Sequence, residues 1–186
     1  MLRINFINQL ILIKFVDMNN IIQSSLLTLQ KSKTLLIKLS NEELSDASVS
    51  PYYSSVGSHL RHIFDFYYCS LEFNSEGKID LTSRKRDLTV ESCCDSATDY
   101  LNKIIKKLQA VEENIKDSII VIDDLGCGKI EMDYTYSALL SQANSHTIHH
   151  YAIIGYILDR LNITFEDSNF GYNPTTPIKE EVLLKS

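Results

Sequence analysis

The stretch Tyr136-Ser137-Ala138-Leu139-Leu140-Ser141-Gln142-Ala143-Asn144-Ser145-His146-Thr147-Ile148-His149-His150-Tyr151-Ala152-Ile153-Ile154-Gly155-Tyr156-Ile157-Leu158-Asp159-Arg160-Leu161 decides the reading of the fold. Leu139, Ala143, His146, His150, Ile153, Ile157 and Leu161 recur at steps of three and four, which predicts a helix with one continuous face. So long a stripe must be buried against other elements. Upstream, Ile22, Leu26, Leu29 and Leu36 share a stripe between Asn20 and Leu39, and the polar run Ser40 to Asp46 reads as its stop. Pro51 is placed for the front of a second helix, with the seam Ser55, His59, His62, Phe66, Cys69 and Phe73 and an end at Gly77. A third helix is predicted over Ser92 to Lys116, with Ala97, Leu101, Ile104, Leu108, Val111 and Ile115 inward and Lys103, Lys106 and Lys107 outward. Between it and the last helix, Ile120, Ile122, Ile130, Met132 and Tyr134 flank the turn-like segment Asp123 to Gly128. That pattern predicts a short hairpin or an extended connection. Four amphipathic helices and no sheet large enough to cover them make an all-α four-helix bundle the economical solution.

At 186 residues, with 44% hydrophobic and 23% charged content, the chain is expected to be one domain over 1–186, its bundle at 20–161 and a C-terminal strap at 162–186. Phe170-Gly171-Tyr172-Asn173-Pro174 is the part of the strap expected to be ordered. Residues 1–18 read either as an extra helix packing on the domain or as an N-terminal extension, with translation starting naturally at Met18. Asn5, Asn8, Gln9 and Lys14 interrupt the apolar run of Met1 to Val16, which is too short to span a bilayer, so no membrane partner is expected. A net charge of -6 argues against a nucleic-acid surface, because affinity for a polyanion comes from Lys and Arg neutralising phosphates. Cys69, Cys93, Cys94 and Cys127 have neither metal-site spacing nor the density of a disulfide scaffold, and read as free thiols in a reducing cytoplasm.

All five histidines fall in two windows, Ser58-His59-Leu60-Arg61-His62 and His146-Thr147-Ile148-His149-His150. His146 and His150 lie one helical turn apart and can aim two imidazoles at one point. A third imidazole, from His62 or from His59, completes a set of three nitrogen donors. Neutral imidazole suits zinc, nickel, iron and copper, and three protein ligands leave positions open for water or substrate. Two or three histidines on a core seam without a partner would cost roughly 1 to 3 kcal/mol for each unpaired polar group. His149 lies about 100 degrees round the helix from His150, toward the surface or an outer hydrogen-bonding role. His59 reads as a fourth ligand, a proton shuttle or a hydrogen-bonded neighbour. Asp65 reads as an oxygen ligand, an outer partner or a solvated residue.

Ser55-Val56-Gly57-Ser58-His59-Leu60-Arg61-His62-Ile63 and Ser145-His146-Thr147-Ile148-His149-His150-Tyr151-Ala152-Ile153-Ile154-Gly155 resemble the corresponding stretches of the DinB-like, or YfiT-like, superfamily of metal-binding four-helix bundles. The resemblance covers roughly Asn20 to Leu161. It implies an up-down-down-up bundle with a divalent metal, usually zinc or nickel, at one end of the core, held here by His62, His146 and His150. Some members are bacillithiol- or mycothiol-dependent S-transferases, and others look like hydrolases or isomerases. The chain departs from the simplest pattern in carrying His59 and His149, and in the segment Ser83-Arg84-Lys85-Arg86-Asp87. Arg84 or Arg86 there can bind an anionic thiol cofactor or a carboxylate as a guanidinium fork, the alternative being a charged loop that leads into a helix.

Two functional expectations follow. One is a metal-dependent hydrolase or low-molecular-weight thiol S-transferase acting on a small-molecule substrate, with a metal-bound water or thiolate as the reacting group and no catalytic residue assigned beyond the ligands. The other is a non-catalytic, stress-related metal-binding or interaction module, in which the ion holds the helices together and the outer faces meet a partner, with a homodimer as the candidate assembly. Thr147, Ile148 and His149 stand between His146 and His150 where a metalloprotease carries its glutamate, which favours the second.

Overall fold

A computed structural model describes residues 19–111 and 115–177. The expectations for 1–18 and for the end of the strap fall outside these residues. The fold is mostly helical, with a small three-stranded sheet, in the order α1 (Asn20–Lys38), α2 (Asn41–Ser45), α3 (Val56–Ser70), β1 (Ile79–Asp80), α4 (Thr89–Ser92), α5 (Cys94–Gln109), β2 (Ser118–Asp124), β3 (Lys129–Thr135) and α6 (Tyr136–Arg160). The helical expectation holds in part, since a three-stranded sheet accompanies the helices. Among the described residues no helix is long and apolar enough to cross a membrane.

Helix α1 starts where the Asn19 side chain accepts from the Ile21 N–H at 2.9 Å. It buries Ile22, Leu26, Leu29, Leu35 and Leu36 as its stripe. The stop after it is also a start. Ser40 and Glu43 form a reciprocal capping box, and the one-turn helix α2 follows, closing the core with the buried Leu44.

Pro51 does not front α3. It follows Ser50 through a cis peptide bond, Tyr53 takes φ 50°, and the helix begins at Val56 because Ser55 supplies the cap, accepting from the Ser58 N–H at 3.0 Å. Helix α3 ends at Ser70, short of Phe73 and Gly77. Its buried stripe runs through Val56, Leu60, Ile63, Phe64 and Tyr67, so His59 and His62 lie at the border of the core.

The third predicted helix divides at Cys93, whose extended backbone separates α4 from α5, and α5 ends at Gln109 rather than Lys116. Ala97, Leu101, Ile104 and Leu108 are buried as expected. Ile115 is also buried, but from the connection to β2, where its carbonyl accepts from the Ser137 N–H at 2.6 Å.

The expected hairpin is present. β2 and β3 pair antiparallel from Ser118↔Thr135 to Asp124↔Lys129 around a turn in which Gly126 and Gly128 take φ 101° and 94°. β1, which the sequence pattern did not predict, pairs parallel with β2 through Ile79↔Val121 and Asp80↔Ile122. β3 runs directly into α6, capped by the Thr135 hydroxyl, which accepts from the Ala138 N–H at 3.2 Å.

Helix α1 packs on α5 and α6, and α3 packs on α5 and α6, so α6 lies against both α1 and α3. On the α1 side, Tyr151 of α6 donates its hydroxyl proton to the Thr28 carbonyl at 2.9 Å and meets Ser32 Oγ at 2.5 Å. The strap covers that same side. Phe170 stacks on Tyr151 with centroids 4.5 Å apart, Asp167 pairs with Lys31 at 3.0 Å, and Gly171 passes so close to Ala152 that a Cβ there would lie 2.6 Å from its Cα. The α3 side of α6 is left for the histidines.

Gly57 sets the approach of α3 to α4, since a Cβ at this position would lie 2.0 Å from the Glu91 carbonyl oxygen. Backbone cannot swing aside as a side chain can. Gly57→Ala is expected to destabilise the fold by about 1 to 3 kcal/mol, read as a lower denaturant midpoint with an unchanged slope; an unaltered midpoint would show that the α3–α4 contact is looser than described.

Candidate metal centre

Four of the five histidines meet at the α3–α6 seam. His62, His146 and His150 each offer one ring nitrogen to a cluster in which all three atoms lie within 4.8 Å of one another. Nε2 of His62 and Nε2 of His146 are 2.9 Å apart. Ring centroids are separated by 4.9 Å for His62–His146, 4.7 Å for His62–His150 and 4.5 Å for His146–His150, each pair edge to face. Zinc–nitrogen bonds of about 2.0 Å in a tetrahedron set ligand nitrogens about 3.3 Å apart. That spacing lies between the 2.9 Å of the His62–His146 pair and the 4.8 Å within which all three nitrogens fall, so the donor set could hold a divalent ion that accepts imidazole.

Local sequence explains the convergence. His146 and His150 share a face of α6 one turn apart, next to the buried Ala143 and Thr147, and His62 faces them from α3 between the buried Leu60 and Ile63. Phe66, one turn beyond His62, packs its ring against His146 at 5.1 Å and closes that side of the cluster with apolar surface.

The same packing keeps the rings neutral. Burial, then the neighbouring histidines, push His150 from the ordinary 6.5 to about 3. Burial, His146 and the Arg84 and Arg61 guanidiniums push His62 to about 4. Burial also lowers His59 and His146. Neutral imidazole is the ligand form, so at neutral pH no proton has to be displaced from these rings for a metal to bind.

The remaining candidate residues divide. His59 lies outside the three-nitrogen cluster but beside it, with Nδ1 2.9 Å from His150 Nδ1 and Nε2 2.9 Å from Ser54 Oγ. His149 is exposed, its ring centroid 5.5 Å from that of His150. Asp65 is fully buried and committed elsewhere, accepting from Arg61 Nη1 at 2.9 Å, Tyr100 Oη at 3.0 Å and the Arg86 N–H at 3.3 Å. Arg84 is half-buried, donates from Nε to the Leu81 carbonyl at 3.0 Å, and lies near enough to His62 and His146 to oppose their protonation. Arg86 is exposed, and its main chain rather than its guanidinium reaches Asp65. Sequence reasoning did not find Ser54, which precedes the helix cap and carries no periodic signal.

No family model matches this chain, and no curated protein matches it closely enough to serve as a relative. The functional reading therefore rests on the site itself.

Because burial holds these imidazoles below 6.5, the unfolded chain takes up protons first as pH falls. Their neutral packing contributes fully above about pH 6.5 and is lost progressively toward pH 4. The denaturant midpoint of metal-free protein is expected to be level from pH 8 to about 7 and to fall between about 6.5 and 4, with a shallower fall in His62→Phe. Equal slopes in parent and variant would place the acid sensitivity elsewhere.

Proposed function

We propose that the chain is a divalent-metal protein of the DinB-like kind, with His62, His146 and His150 as ligands, and that it acts as a metal-dependent hydrolase or a low-molecular-weight thiol S-transferase on a small-molecule substrate. The observation that carries the reading is the convergence of three neutral imidazoles from two helices, with no fourth protein donor in the cluster among the described residues. Three ligands suit a working site better than a structural zinc site, which four ligands usually close. Zinc or nickel is the expected ion. When bound, such an ion lowers the pKa of a water or thiol and so supplies a nucleophile near neutral pH.

The chain's own residues would set the rest. His62, His146 and His150 hold the position, Phe66 excludes water from one flank, and Arg84 places a cation beside His62 and His146 that favours an anionic substrate group or thiol cofactor. The packing of α1, α3, α5 and α6 supports assigning them as the four helices of an up-down-down-up bundle. A cytoplasmic setting and a homodimer complete the proposal.

One observation favours a non-catalytic metal-binding module instead. Among the described residues no carboxylate joins the histidine cluster, and Asp65, the nearby candidate, is held by Arg61 and Tyr100. A general acid or base would have to come from elsewhere.

Zinc- or nickel-loaded protein should catalyse either thiol transfer to an electrophile or hydrolysis in a broad substrate panel, and His150→Ala given the same metal treatment should lose at least about 100-fold in rate. Inactivity across both panels, with a large fall in thermal midpoint on chelation, would favour the structural module.

A further inference from the structure

His59 engages both of its ring nitrogens although it stands outside the three-nitrogen cluster, with Nδ1 on His150 Nδ1 and Nε2 on Ser54 Oγ, each at 2.9 Å. A neutral imidazole has one donor and one acceptor, so these two contacts constrain each other. Suppose His150 offers the Nε2 lone pair to the point shared with His62 and His146. Its proton then sits on Nδ1 and is donated to His59 Nδ1. His59, accepting there, carries its own proton on Nε2 and donates it to the Ser54 hydroxyl oxygen. Both rings stay neutral, and each of the two His59 contacts has one donor and one acceptor.

The opposite assignment fails at the cluster. If His59 Nδ1 donated to His150 Nδ1, the His150 proton would sit on Nε2 and block the third lone pair. We infer that His59 is a positioning residue, fixing the tautomer and ring orientation in which His150 Nε2 serves as a metal ligand, with Ser54 fixing the tautomer of His59 in turn. The inference rests on the three-histidine reading proposed above. Outer hydrogen-bond partners of this kind are worth about 10- to 100-fold in metal affinity. The placement follows from the start of α3: Ser54 directly precedes the Ser55 cap, and His59 lies in the first turn with its N–H donating to the Ser55 carbonyl at 3.3 Å.

The test combines zinc titration against a competing chelator with long-range proton–nitrogen NMR of the imidazoles in metal-free protein, for the parent, His59→Ala and His59→Gln. The parent is expected to show His150 with its proton on Nδ1. His59→Ala should bind zinc about 10- to 100-fold more weakly at an unchanged circular-dichroism spectrum, and His59→Gln, whose side-chain carbonyl can accept from His150, should recover part of the loss. Equal zinc affinity in parent and His59→Ala, or a parent His150 protonated on Nε2, overturns the positioning role alone. Complete loss of zinc from both variants makes His59 a ligand and also overturns it. A parent that binds no zinc overturns the three-histidine reading and this inference together.

Discussion

Helices α3 and α6 meet along a seam of imidazoles whose burial disfavours the charged form. His59, His62, His146 and His150 pack with centroid separations of 4.5 to 5.1 Å, and burial lowers the pKa of each. Protonating two of them would set like charges against each other in a poorly solvated place. Both nitrogens of His59, Nδ1 of His150 and the Nε2 atoms of His62 and His146 meet one another or Ser54. The cluster of His62, His146 and His150 could hold a divalent ion, which would draw three lone pairs to the same point.

The rest of the fold holds those two helices in place. Leu60, Ile63, Phe64 and Tyr67 on α3 and Leu139, Ala143, Ile154 and Leu158 on α6 bury the apolar stripes beside the seam. Gly57 lets α3 approach the α4 backbone, and Arg61 bridges the buried Asp65 of its own helix to Glu91 of α4. On α6, Tyr151 ties the helix to α1, and the strap presses on the same side without reaching between the histidines. The histidine face and the strap face of α6 are thus separate, one turned to α3 and the other to α1.

Much of this was legible in the sequence because it is local. The stripes of α1, α5 and α6, the hairpin around Asp123 to Gly128, and the shared face of His146 and His150 all follow from helix or strand period. The boundaries were harder. Ser55 outcompeted Pro51 as the start of α3 because a hydroxyl that accepts a helix N–H satisfies an orphan donor, whereas a proline only removes one. Ser40 and Glu43 carried a capping-box signal that was read only as a stop. β1 is two residues long and exists by pairing with β2, a contact that no local pattern announces. The buried stripes of α3 and α6 also lie slightly round from the predicted seams, which places the histidines at the core border.

At the site, the pair on α6 was readable from spacing, whereas the choice between His62 and His59 depended on how α3 is rotated against α6. Asp65 looked like a candidate oxygen donor, yet its burial under Arg61 and Tyr100 is a tertiary fact. The measurement that bears most directly on the central claim is metal stoichiometry by elemental analysis of untagged protein, for the parent and for His146→Ala. The account predicts about one equivalent of zinc or nickel in the parent and almost none in the variant. Sub-stoichiometric metal in both, persisting after reconstitution, would contradict it and leave the seam as a cluster of hydrogen-bonded histidines.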